Sequence, residues 1–191
     1  MSKALLLAVG IGLLLPAAAW ANQDDNDDDR SGSAMNNEDG WRNRRYTGPV
    51  LAVDVNAVVR LRNTAKHHVQ PGVGGRLGYQ IWTGGTTMLT PEAMFEWNHF
   101  EEDNNAIRVL GGLRYSAGEV VRPSVFGHAG WGRVTFPGDD SDHAFAVDAG
   151  AALDVYIANT IAVGAQGAYN LINLDVPVDF LTFGAHLQFT F

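Results

Sequence analysis

Phe180-Leu181-Thr182-Phe183-Gly184-Ala185-His186-Leu187-Gln188-Phe189-Thr190-Phe191 is the stretch on which the fold turns. Its odd positions hold Leu181, Phe183, Ala185, Leu187, Phe189 and Phe191; its even positions hold Thr182, Gly184, His186, Gln188 and Thr190. Side chains of a strand alternate between two faces, so this segment has one apolar and one polar face only if it is extended. Wound as a helix, the two sets would mix around the circumference.

Upstream the same parity recurs. Val147, Ala149, Ala151, Leu153 and Val155 alternate with Asp148, Gly150, Ala152 and Asp154. Ile107, Val109, Gly111, Leu113 and Tyr115 alternate with Arg108, Leu110, Gly112 and Arg114. Val53, Val55, Ala57 and Val59 alternate with Asp54, Asn56 and Arg60, and Leu77, Tyr79 and Ile81 with Arg76 and Gln80. Ala93, Phe95 and Trp97 oppose Glu92, Glu96 and Asn98; Ile161, Val163, Ala165 and Tyr169 oppose Gln166 and Asn170. The pattern is weakest around 121–135, where Phe126 has the polar parity and Arg133 the apolar one. Eight segments result, at 49–62, 73–83, 86–99, 106–116, 121–135, 144–156, 160–171 and 179–191. Turn chemistry separates them: Pro71-Gly72, Thr83-Gly84-Gly85, Asp103-Asn104-Asn105, Ala117-Gly118, Pro137-Gly138-Asp139-Asp140, Ala158-Asn159, and Asp175 with Pro177.

A soluble barrel hides its apolar face inside, whereas a membrane barrel shows it to lipid and keeps a polar interior. Here one face is aliphatic and aromatic, while the other mixes glycine with charges of both signs, which suits a narrow interior where opposite charges pair. The segments also exceed the ~9–11 residues a tilted strand needs to cross a bilayer. Lipid offers no partner to an open strand edge, so the sheet must close. The fold class expected is all-β: an eight-stranded antiparallel up-and-down transmembrane β-barrel over residues 47–191. A soluble periplasmic barrel for a small apolar ligand is the competing architecture.

Facing inward, by parity, are Asp54, Arg76, Glu92, Glu96, Arg108, Arg114, His128, Asp148, Asp154 and His186. Counting from one end puts Arg76, Glu92, Arg108, His128 and Asp148 at similar depth, with Asp54 and His186 near them across the closing seam. A mutually neutralising network is expected, since a buried charge is tolerable when paired. Tyr79, Trp97, Tyr115, Trp131, Tyr169, Phe189 and Phe191 face outward as candidate interfacial aromatics.

The first 21 residues read as an export signal: Lys3, the apolar run 4–15, and Ala19-Trp20-Ala21, which fits small-x-small cleavage before Asn22. The apolar run falls short of the ~20 residues of a spanning helix. Residues 22–46 are expected to form an acidic disordered tether, with seven acids and one base between 22 and 40. The run Asp24–Asp29 lacks the loop glycine and distal glutamate of a calcium-binding EF-hand. Cysteine is absent, which excludes disulfides and thiolate metal sites. With 13 basic and 21 acidic residues there is no nucleic-acid footprint. No cofactor and no metal site is expected, Lys66-His67-His68 being read as solvated.

The terminal segment resembles the last strand of bacterial outer-membrane barrels. Gly74-Gly75-Arg76-Leu77-Gly78-Tyr79 and Val109-Leu110-Gly111-Gly112-Leu113-Arg114-Tyr115 are similar to strands of OmpA-like small barrels. The resemblance implies a bacterial outer-membrane location. It also implies insertion by the outer-membrane assembly machinery, with Phe189 and Phe191 as assembly signal; in a departure from full-length OmpA, no peptidoglycan-binding domain is expected after Phe191. Expected partners are outer-membrane lipid and lipopolysaccharide, with the barrel monomeric and its N-terminus periplasmic. The outer loops then fall at 63–72, 100–105, 137–143 and 172–178, and the acidic ones offer carboxylates to divalent cations shared with lipopolysaccharide phosphates. Function is expected to be non-enzymatic: a structural or surface-exposed component with a closed lumen. The alternatives are a narrow gated pore and a lipid A acyl hydrolase. The last needs a Ser/His/acid set on the outward face, where the pattern places only His99.

Overall fold

The computed structural model describes residues 47–61, 69–100, 104–136 and 141–191. The signal and tether readings, the Asp24–Asp29 run, Lys66-His67-His68, and the acidic residues at 101–103 and 139–140 lie outside these. Eight strands follow in chain order: β1 (Gly48–Arg60), β2 (Val69–Gly84), β3 (Thr87–His99), β4 (Asn105–Ala117), β5 (Val121–Thr135), β6 (Ser141–Tyr156), β7 (Ile161–Ile172) and β8 (Val178–Thr190). Each pairs antiparallel with its sequence neighbour, and β8 returns to β1, closing an up-and-down barrel.

Burial follows parity. Val53, Val55, Leu77, Phe95, Leu113 and Phe183 are half or more exposed, at 50–62%, while Asp54, Arg76, Glu96 and Arg108 are 0–4% exposed. Such an arrangement in water would display a continuous apolar surface around a charged interior, the reverse of a soluble barrel. The soluble architecture with an apolar interior therefore does not fit the described residues.

The β2–β3 connection is tight. Gly85, at φ 55°, and Thr86 link strands whose last pair is Gly84 with Thr87, and Trp82 Nε1 donates to Gly85 O at 3.0 Å. The seam is held at its end by Phe191 N donating to Pro49 O at 3.0 Å.

Two strands begin three or more residues earlier than the sequence signals place them. β2 runs through Pro71-Gly72, read above as a turn, because β3 pairs with it only from Gly72 onward. Pro71 opposes Ala57 of β1 and has no β3 neighbour whose ladder it would break. β6 starts at Ser141, since β5 stays paired as far as Thr135 with Ser141. His143, assigned above to a loop, is thus a strand residue, exposed, with the parity of Phe145. His99 is not alone on the outward face.

Candidate functional site: the charged lumen

The interior has two layers. At the end bearing the β1–β2, β3–β4, β5–β6 and β7–β8 connections, the loop end, Val58, Phe100, Leu110, Val134, Ile172 and Phe180 form an apolar cluster. Phe100 and Phe180 meet edge to face at 5.3 Å between ring centroids. Below it, towards the short turns, lie the charges.

Eight of the ten inward residues expected from the sequence form one connected network. Arg76 donates to Asp54 through Nε (3.1 and 3.2 Å) and Nη2 (3.0 Å), and its Nη1 lies 3.6 Å from Glu92. Glu92 also accepts from Arg114 Nε at 3.1 Å and contacts His128 Nε2 at 2.9 Å. The other ring nitrogen of His128 stands 2.6 Å from Asp148. A carboxylate can only accept, so the imidazolium form, donating from both nitrogens, satisfies both contacts. Asp148 lies 3.8 Å from Arg108, which pairs with Glu96; Glu96 in turn accepts from Asn56 at 2.9 Å.

The remaining two, Asp154 and His186, pair with each other. Asp54 opposes His186 in the β1–β8 register yet turns to Arg76 instead. Three depths need correction. Glu92, Gly112, His128 and Asp148 share a row across β3–β6, but Arg76 opposes Met94, two residues nearer the loop end, and Asp54 and Arg108 fall in the row of Glu96, four residues nearer it. Hairpin register sets these rows, and counting residues from an assumed strand end misplaced all three.

Glycine makes the pairing possible. A Cβ on Gly164 would stand 2.4 Å from His186 Nε2 and 2.5 Å from Asp154 Oδ1, and one on Gly112 would stand 2.5 Å from His128 Cδ2. The partners occupy the volume that side chains would take on these strands.

Sequence reading passed over several inward groups. Arg122 is buried, donates to Tyr156 Oη at 3.0 Å and to the carbonyls of Gly118 and Glu119, and lies 4.1 Å over the Tyr156 ring. Its even parity was available as a signal, but it stands beside the Gly118 turn and Pro123, where strand boundaries are hardest to place. Phe126, an exception to the polar face, is the platform for Arg114, whose guanidinium carbon sits 4.6 Å from its ring centre. Gln166 donates to Asp54 at 3.1 Å.

A cavity of about 10 Å³ lies among Arg76, Glu96, Arg114, Phe126, His128 and Asp148, room for about one water. Among the described residues no group of three or more histidines and carboxylates is placed to hold a metal ion. On the outside, Phe189 is half-buried between Leu51 and Ile161, and Phe191 is exposed beyond β8.

No protein-family model matches the chain, and no curated protein matches it. Solved structures do. Neisserial surface protein A superposes with a TM-score of 0.61 at 13% identity, over 76% of this chain and 98% of that one. The chain has the fold of a small outer-membrane β-barrel. Ail, the attachment invasion locus protein of Yersinia pestis, matches this fold at TM-score 0.48 and 17% identity over 75% of this chain and all of its own. The outer-membrane enzyme PagL matches at 0.44 and 19%, over 72% of this chain and 99% of its own.

Proposed function

We propose that the chain is a non-enzymatic barrel of the bacterial outer membrane, with its loop end outward and a lumen closed to solutes. The observation that carries this is the filled interior: ion-paired side chains across the middle, and the Phe100–Phe180 cluster across the loop end. The apolar exterior supports the membrane, and the fold shared with Neisserial surface protein A is consistent with an outer one. Planar-bilayer recording tests closure. The expected outcome is no steady conductance from the wild type; a persistent open current would establish a pore instead.

One observation favours a second reading. Ser141 and His143 share the outward parity of β6, which gives lipid A deacylation a foothold. His143, however, stacks on Trp131 at 5.3 Å, and among the described residues no carboxylate pairs with it to complete a nucleophile-activating set. Purified protein is expected to leave lipid A acyl chains intact; deacylation lost in Ser141→Ala and His143→Ala would replace the non-enzymatic reading.

A further inference from the structure

Every arginine described in the strands has the inward parity except one. Arg60, Arg76, Arg108, Arg114 and Arg122 occupy even positions; Arg133, near the loop end of β5, occupies an odd one, on the face of Trp131 and Val125. Its Nε is shielded from solvent and has no hydrogen-bond partner. On this face β3, β4 and β6 bring it no carboxylate: their outward positions are filled by apolar, aromatic, small and uncharged polar residues and by His99 and His143.

The surroundings of Arg133 are ordered in rows. Trp97, Ile107, Arg133 and His143 lie side by side on β3, β4, β5 and β6. The next row towards the loop end is His99, Asn105, Thr135 and Ser141, all able to hydrogen bond. The row below contains Phe95, Val109, Trp131 and Phe145, all apolar or aromatic. Trp131 stacks on His143 at 5.3 Å, and Trp97 stacks on His99 at 6.0 Å, so both imidazoles are held beside the guanidinium row. Tryptophan favours the headgroup level of a bilayer, which places Arg133 where lipid phosphates lie. A guanidinium's terminal nitrogens match a phosphate through two parallel hydrogen bonds.

We propose that Arg133, flanked by His143 and His99, is a docking site for the phosphate of a phosphorylated glycolipid around the loop end of the barrel. The amide and hydroxyls of Asn105, Thr135 and Ser141 stand one row beyond, where the sugar hydroxyls of such a lipid would meet them. Phe95, Val109 and Phe145 lie one row below, against its acyl chains. The inference rests on the membrane placement proposed above.

The test uses the full-length protein folded in nanodiscs of zwitterionic lipid doped with lipopolysaccharide, dephosphorylated lipopolysaccharide, or phosphatidylglycerol. Lipid retained after detergent extraction is measured by mass spectrometry. Wild-type protein is expected to retain lipopolysaccharide about tenfold more than the dephosphorylated form, the scale of one charge-assisted pair. Arg133→Gln is expected to erase that preference, and Arg133→Lys to restore part of it. Equal retention of intact and dephosphorylated lipid by the wild type overturns the site without recourse to any variant. So does full retention by a folded Arg133→Gln protein. Retention of phosphatidylglycerol with the same Arg133 dependence overturns the choice of glycolipid. Failure of the wild type to enter any bilayer overturns the membrane placement instead.

Discussion

Glu92 answers to three cations, Arg76, Arg114 and His128. Its replacement leaves those groups buried without their shared counter-charge. Glu92→Gln is expected to lower stability by about 3–5 kcal/mol, the usual effect of breaking a buried pair from one side. The loss of the compact, heat-modifiable gel band with rising urea measures it. Gly164 sets a different limit: an added methyl meets both His186 and Asp154 within 2.5 Å. Gly164→Ala should cost about 1–3 kcal/mol through overpacking, on the same gel assay. Parity alone showed that these residues face one way. Which of them touch depends on cross-strand register and on glycines opposite, and neither is visible in a single strand's pattern.

At the level of elements, strands were legible wherever alternation ran unbroken, and least so at their loop ends. Pro71 looked like a terminator, yet β2 extends past it because only β1 accompanies it there. Asp142 and His143 looked like loop, yet pairing of β5 with β6 reaches Ser141. The apolar layer was missed for a related reason. Val58, Leu110, Ile172 and Phe180 have the inward parity of the charges, and no one strand shows that they converge at one end. Phe180→Ala removes a ring packed against Phe100 and lying 5.1 Å from the Arg108 guanidinium carbon. It is expected to destabilise by about 3–5 kcal/mol, read as an earlier urea midpoint. The charged layer beneath is expected to keep conductance at background in the same variant. Insertion of one residue between Phe183 and Gly184 would reverse the faces of half of β8, and no compact gel band is expected from that chain.

For the whole molecule, the distinguishing test is a charge on the outer surface. Val109 is 49% exposed in the middle of β4. On a water-facing surface Val109→Arg would change stability by about 0.5 kcal/mol or less; against lipid near the midplane it should cost about 2–4 kcal/mol. Folding equilibria in bilayers, compared between wild type and variant, separate the two. The larger value is expected.

The connectivity of the lumen also bears on how such a barrel can be built. Asp54 on β1 is neutralised by Arg76 on β2, Arg76 reaches Glu92 on β3, Glu92 meets Arg114 on β4 and His128 on β5, and His128 reaches Asp148 on β6. His186 on β8 faces Asp54 across the β1–β8 seam, yet it turns back to Asp154 on β6. Strands can therefore be laid down in chain order, from either end, with each of these charges finding its counter-ion on a strand one or two places away. Closure then joins β1 to β8 through their backbone ladder and brings Gln166 on β7 to an Asp54 whose charge Arg76 already balances.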